Sequence, residues 1–207
     1  MTITDVSQKK PNLVLEQYFL GKTFASGIFE DRFGNVRRQF TVDIDGTWNG
    51  KTLTLTEDFI FGDGETETRV WSIKKTAQAS YVGSADDVIG EAKGTVVGNT
   101  LNWKYDMRLK VGGSRVKVHF DDWMFLQPNG VLINKATVSK LGVDIGRVTI
   151  AFTKKADVDF LSTVSPTSKE PAFKLERNSL LGDCTQRTTS TILFRSLFSS
   201  LGGFSLA

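Results

Sequence analysis

From Lys22 to Thr153, apolar and polar residues alternate with period two, and turn-forming residues interrupt the alternation at fairly regular intervals. Between Arg38 and Trp48, the residues Phe40, Val42, Ile44 and Trp48 face one way, while Gln39, Thr41, Asp43, Asp45 and Thr47 face the other. The sorting is sharper further on. Leu101, Trp103, Tyr105, Met107, Leu109 and Val111 share one face, opposite Asn102, Lys104, Asp106, Arg108 and Lys110. A strand sends successive side chains to opposite faces, whereas a helix would scatter both sets around its axis.

The breaks fall at Gly34-Asn35, Asn49-Gly50, Gly62-Asp63-Gly64, Asp86-Asp87, Gly98-Asn99, Gly112-Gly113, Pro128-Asn129-Gly130 and Gly142. These residue types tolerate the positive φ angles that close hairpins. About ten strand segments with short connections and no long helical pattern predict an all-β, antiparallel up-and-down meander. An open sheet of that width would leave two edges unpaired, and closure removes them. The predicted fold is therefore a lipocalin- or calycin-like barrel of about ten strands, a size that can hold one small ligand. A two-sheet sandwich is the alternative.

The ends read differently. Residues 1–21 form an N-terminal segment whose Leu13, Leu15, Tyr18 and Phe19 need cover, which suits a plug for a barrel spanning 22–155. Residues 156–207 begin with the linker-like STVSPTSKEPAF and continue as a poorly structured tail. Within it, Leu193, Phe194, Leu197, Phe198 and Leu201 recur at helical spacing. They predict a short amphipathic helix over 190–201 that can lie on a membrane surface.

Composition narrows the function classes. Lys and Arg are interspersed with Asp and Glu at a net charge of +3, so no single-sign patch predicts a nucleic-acid partner. One cysteine and one histidine leave no internal disulfide and no multi-imidazole or multi-cysteine metal site. Phosphate-cradling glycine loops and the nucleophile-elbow motif are absent, and no cofactor is expected. The first residues carry no apolar run behind Lys9 and Lys10, which predicts cytoplasmic placement, with the tail reaching the membrane periphery.

Two constellations carry candidate chemistry. In VHFDDWMF, His119, Asp121 and Trp123 project to one face and Val118, Phe120, Asp122 and Met124 to the other. An adjacent His119–Asp121 pair suits a base and its orienter, and Asp122 interrupts an apolar face, where desolvation would raise its pKa. The structural alternative pairs Asp122 with a basic residue of a neighbouring strand. In the second constellation Glu57 lies on the apolar face of Leu53, Leu55, Phe59 and Phe61, one hairpin away from Arg69 and Trp71. Inside a barrel, Arg69 could clamp a fatty-acid carboxylate, since guanidinium and carboxylate match bidentately. The alternative is an exposed cross-strand ion pair. Trp71, Trp103, Trp123, Tyr105, Phe59 and Phe120 could line a cavity or simply fill a core.

The stretches GIFEDRFGNVRRQFTVDIDGTWNG, LTLTEDFIFGDGE, RVWSI, LNWKYDM, VHFDDWMFLQPNGVLIN and VTIAFTKK make residues 15–154 resemble a bacterial domain-of-unknown-function family, number 3833. The resemblance implies a lipocalin-like barrel, often carried on lipoproteins, with no established activity and with relatives encoded near fatty-acid-modifying enzymes. The chain departs from the family in having no N-terminal lipidation cysteine and in its long C-terminal extension. Gly46-Thr47-Trp48 is similar to the Gly-x-Trp element of lipocalins but falls in the second predicted strand.

Together these readings predict a barrel that binds a small apolar or amphipathic ligand, a fatty acid or related lipid. Its binding residues are Arg69, Trp71, Trp103, Tyr105, Phe120, Asp122 and Trp123. One rival is an isomerase- or cyclase-type enzyme of the same fold using His119, Asp121 or Glu57. The other is an assembly module whose barrel is solidly packed. An enclosed volume of at least about 300 Å³ would favour ligand binding.

Overall fold

Each alternating segment forms one strand of an antiparallel ring. The structure, a computed structural model, describes residues 10–111 and 114–154. Its strands are β1 (Gly21–Asp31), β2 (Val36–Trp48), β3 (Thr52–Phe61), β4 (Thr66–Ala77), β5 (Ser80–Ser84), β6 (Val88–Val97), β7 (Thr100–Val111), β8 (Ser114–Leu126), β9 (Leu132–Lys140) and β10 (Val143–Thr153). Consecutive strands pair, and β10 returns to β1, from Phe24 opposite Thr153 to Asp31 opposite Gly146. The sheet is a closed ten-strand meander barrel, and the sandwich is excluded. The expectations for residues 156–207, including the helix over 190–201, lie outside the described residues.

Strand parity decides what lies inside. On β2, Arg38, Phe40, Val42, Ile44 and Gly46 are buried while their odd-numbered neighbours Gln39, Thr41, Asp43 and Asp45 are exposed. Ile44, Leu53, Leu101, Met107, Leu109 and Leu132 are almost completely shielded from solvent. The Trp103 indole packs against two strand glycines: a Cβ on Gly94 would come within 2.3 Å of the ring and one on Gly83 within 2.7 Å. Glycine within a strand weakens it unless something packs on the bare backbone, and here the indole does.

The two ends of the barrel differ. At one end the chain enters through the four-residue helix α1 (Leu15–Tyr18), and its neighbours reach across the opening. Leu13 N–H donates to Gly98 O (2.8 Å), and the Tyr18 hydroxyl donates to Phe152 O (3.0 Å). Glu16 takes hydrogen bonds from Lys75 (2.6 Å) and the Tyr81 hydroxyl (2.8 Å). Leu13, Leu15 and Phe19 are buried beneath these anchors, which come from β4, β5, β10 and the β6–β7 turn. The segment caps this end.

The other end carries the β1–β2, β3–β4, β5–β6, β7–β8 and β9–β10 turns and forms the mouth. The β1–β2 turn is built around Asp31, whose carboxylate accepts from Phe33 N–H, Asn35 N–H and Arg37 Nε at 2.9, 3.0 and 2.6 Å. Burial opposes its charge, but the hydrogen bonds from Asn35, Arg37 and Phe33 win and pull its pKa down to about 2.

Candidate functional site

Inside the barrel is a cavity of about 150 Å³. Its walls are mainly aromatic and aliphatic: Trp71 meets Trp103 edge-on at 5.9 Å and Tyr105 at 5.4 Å, and Tyr105 stacks on Phe120 at 4.9 Å. Leu15 and Phe19 of the cap close one side. The volume is about half of the ~300 Å³ at the lower end of ordinary small-molecule pockets, so it falls short of the size expected to favour ligand binding over a packed barrel.

Four polar side chains interrupt this lining, namely Glu57, Arg69, Asp122 and Asn134. The register sets Glu57 directly opposite Arg69, and Leu55 opposite Trp71. The hairpin thus delivers an acid and a base to the same inward level. Arg69 is already engaged: its Nε and Nη2 donate to Asp87 Oδ2 at 3.1 and 3.0 Å, and Glu67 Oε1 lies 3.5 Å away. Desolvation in the wall pushes the Glu57 pKa up to about 7, against the opposing pull of Arg69. Glu67, one inward position nearer the mouth, is raised to about 7 by the same burial.

Asp122 projects from β8 opposite Trp103 and is 5% exposed. Burial raises its pKa to about 7, only partly offset by the Asn134 side chain, whose amide donates to Oδ2 at 3.3 Å. Asp122 Oδ1 and Asn134 Oδ1 are buried on the cavity wall without a hydrogen-bond partner among the described residues. Buried acceptors are nearly always paired, and an orphan costs about 1–3 kcal/mol.

The mouth adds a second polar group. Arg38 is buried, stacks 3.8 Å over the Phe61 ring, and bridges Asp63 Oδ2 (2.8 Å) and Glu65 Oε2 (2.6 Å).

Of the residues singled out in the sequence, Glu57, Arg69, Trp71, Trp103, Tyr105, Phe120 and Asp122 line the cavity together. Trp123, placed there by expectation, does not. Odd positions of β8 point outward, and Trp123 stands between Asn102 and Lys135 on the outer surface. His119 and Asp121 share that outer face, which separates both from the cavity. His119 Nδ1 lies 2.9 Å from Asp106 Oδ1, while Asp121 takes Asn102 Nδ2 at 2.6 Å and Lys104 at 3.2 Å. They sit in separate pairs and do not form a base and its orienter. His119→Gln is expected to leave stability within about 0.5 kcal/mol and ligand binding within roughly twofold, measured by thermal melts and titration.

Sequence reasoning passed over Arg38, Glu67, Asp87 and Asn134. Parity carried the signal for three of them. Arg38 is in phase with Phe40, Glu67 with Trp71, and Asn134 with Leu132 and Val138. Asp87 had none, because it acts from a turn.

The fold and site define a closed β-barrel with a small, mostly apolar interior and a carboxyl-rich polar wall. The chain belongs to a family described as protein of unknown function (DUF3833), whose pattern covers residues 1–154. No curated protein matches it. Two solved structures are similar to it. One is the S-type phycobiliprotein lyase CPES from Guillardia theta, with 7% identity, TM-score 0.48, and coverage of 66% of this chain and 87% of that one. The other is a protein of unknown function from the DUF3598 family of Nostoc punctiforme PCC 73102, with 11% identity, TM-score 0.46, and coverage of 70% and 51%.

Proposed function

We propose that the barrel binds a small, mainly apolar or amphipathic ligand whose polar end donates hydrogen bonds to Asp122 and Asn134. The observation that carries this reading is the pair of orphan acceptors, Asp122 Oδ1 and Asn134 Oδ1, on an otherwise apolar wall. The same wall argues for a particular subset of lipid-like ligands. A fatty-acid carboxylate would meet Glu57 and Asp122, while Arg69 is already held by Asp87 and Glu67. A neutral or cationic head, such as an alcohol or amine, is better matched than an ionised acid. With a partly open volume of about 150 Å³, the head and part of the body fit inside and a longer body extends into the mouth.

The test compares an alcohol, an amine and a carboxylate of equal chain length at pH 8, following quenching of the wall tryptophans. The alcohol and amine are expected to bind more tightly than the carboxylate. Asp122→Leu should weaken the amine by about tenfold or more, since hydrogen bonds to charged groups contribute roughly 1.5–3 kcal/mol. Tightest binding by the carboxylate, with no effect of Asp122→Leu, would overturn the proposal.

One observation favours an enzymatic reading of the same site. Glu57, raised to about 7 by burial and facing Arg69, is poised for acid–base work at neutral pH. Mass spectrometry of ligand recovered after incubation separates the readings, because a carrier returns it unchanged.

A further inference from the structure

The mouth carries apolar side chains that the described residues leave largely exposed, with only Arg32 lying over the Phe33 ring at 4.7 Å. Among the described residues the large exposed hydrophobics are Leu20, Phe33, Val36, Ile60, Val70, Leu141 and Val143. Leu20 lies at the capped end and Val70 in mid-strand, but the other five sit on or beside the mouth turns. Phe33 is 73% exposed and Leu141 95% exposed, each at the tip of its own hairpin. Because β1 pairs with β10, these two tips are neighbours on one lip. Leu141 also has φ +51°, a left-handed conformation that Asn or Gly would adopt with less strain. An apolar side chain is displayed where a polar one would suit the turn better.

Charge surrounds the same lip unevenly. Exposed Arg32, Arg108, Arg115, Lys117, Lys140 and Arg147 lie on β7 to β10 and the adjoining β1–β2 turn. Only Glu30, Asp106 and Asp144 stand against them, so the lip is basic on balance. Arg108 and Lys117 even face each other directly across β7 and β8. Lys117 is paired with Asp106 at 2.7 Å, which leaves Arg32, Arg108, Arg115 and Lys140 as the basic groups this lip presents. The facing lip remains acidic on balance: Asp63 and Glu65 share the single Arg38, Asp87 pairs with Arg69, and Asp86 adds a further carboxylate.

The geometry points to an anionic lipid surface as the partner of this lip, with Phe33 and Leu141 inserted among the lipids and the basic residues over the headgroups. Separate protruding tips on different hairpins suit a fluid interface, which moulds itself to each of them. A protein partner would need a preformed pocket for each tip. Apolar insertion together with a basic surround is the combination that binds peripheral proteins to anionic membranes. The acidic lip tilts away, so the mouth opens at the headgroup level, where an amphipathic ligand can enter. The docking surface stands independently of what the cavity holds.

The experiment uses the full chain and two vesicle types, pure phosphatidylcholine and phosphatidylcholine with about a third phosphatidylserine, at about 0.15 M salt. Co-sedimentation is expected with the anionic vesicles and not with the neutral ones. Phe33→Ser with Leu141→Asn should reduce it about tenfold or more, as should Arg115→Glu with Lys140→Glu. Leu141→Asn introduces a residue the turn prefers, and a thermal melt confirms that the fold survives. Three outcomes overturn the inference: equal binding to both vesicle types, binding unchanged by either pair of substitutions, or a dimer in sedimentation that Leu141→Asn dissolves.

Discussion

Replacing Gly46 by valine is expected to cost about 3–6 kcal/mol of stability, the largest effect of any single substitution considered for this barrel. A Cβ at this position would lie 1.7 Å from the Phe19 carbonyl oxygen, a backbone atom that no side-chain rotation can move aside. The chain just after α1 must therefore lift off β2, exposing Leu15 and Phe19, which are 2% and 4% exposed when docked. Burying one such side chain contributes roughly 1.5–3 kcal/mol, and two are lost together. Chemical unfolding measures the total. A double variant with Phe19→Ala should cost clearly less than the two single changes added, because both undo the same contact. Simple additivity, or a Gly46→Val cost under about 0.5 kcal/mol, would show that the cap does not rest on Gly46.

The second large effect is on pH. Glu57, Glu67 and Asp122 each have a folded pKa of about 7, above the ordinary carboxyl range, chiefly because burial penalises the charge. The folded state thus holds protons that the unfolded chain has already released between about pH 4.5 and 7. The stability these carboxyls contribute is fully present below that window and is lost as pH rises through 7. Arg69 and Asp87 face them and act in opposite directions, the guanidinium favouring ionisation and the second carboxylate opposing it. Asp31 acts the other way, its contribution being lost as pH falls through about 2. The melting temperature is expected to fall from pH 5 to pH 8. Asp122→Asn should stabilise by about 1–3 kcal/mol at pH 8, roughly 2–12 °C for a domain of this size, and by almost nothing at pH 5. A melting temperature that is flat or rising over this range, or an Asn variant no more stable at pH 8, would refute the account. The same substitution removes a proposed ligand contact, so stability and binding should move in opposite directions.

The barrel was legible because period-two alternation is a local signal and each strand carries it alone. Turns were legible where left-handed backbone was needed, as at Gly34, Gly50, Gly64, Gly130 and Gly142, all with positive φ. The β4–β5 turn at Gln78-Ala79 has none of the marker residues. There a register shift between Lys75 and Ala77 takes up the curvature, and the Thr76 hydroxyl donates to Ser80 O (3.1 Å). The site was legible only as far as parity extends. Parity placed Glu57, Arg69 and Asp122 inside and would have placed Trp123 outside, but it names no partners. That Arg69 binds Asp87 depends on a turn two hairpins away folding over the mouth, and no strand periodicity encodes this. The cavity volume depends on side-chain packing, for example the seating of Trp103 on Gly83 and Gly94, which alternation cannot supply.

Closure through β1 and β10 has a practical consequence for handling the protein. Phe24 pairs with Thr153, and the Lys154 ammonium donates to Leu20 O (2.8 Å) and to the Thr23 hydroxyl (3.1 Å). The barrel's incoming and outgoing chain are thereby fastened side by side at the capped end, opposite the mouth. A reporter fused ahead of β1, or a linkage to a sensor chip beyond β10, departs from the same pole.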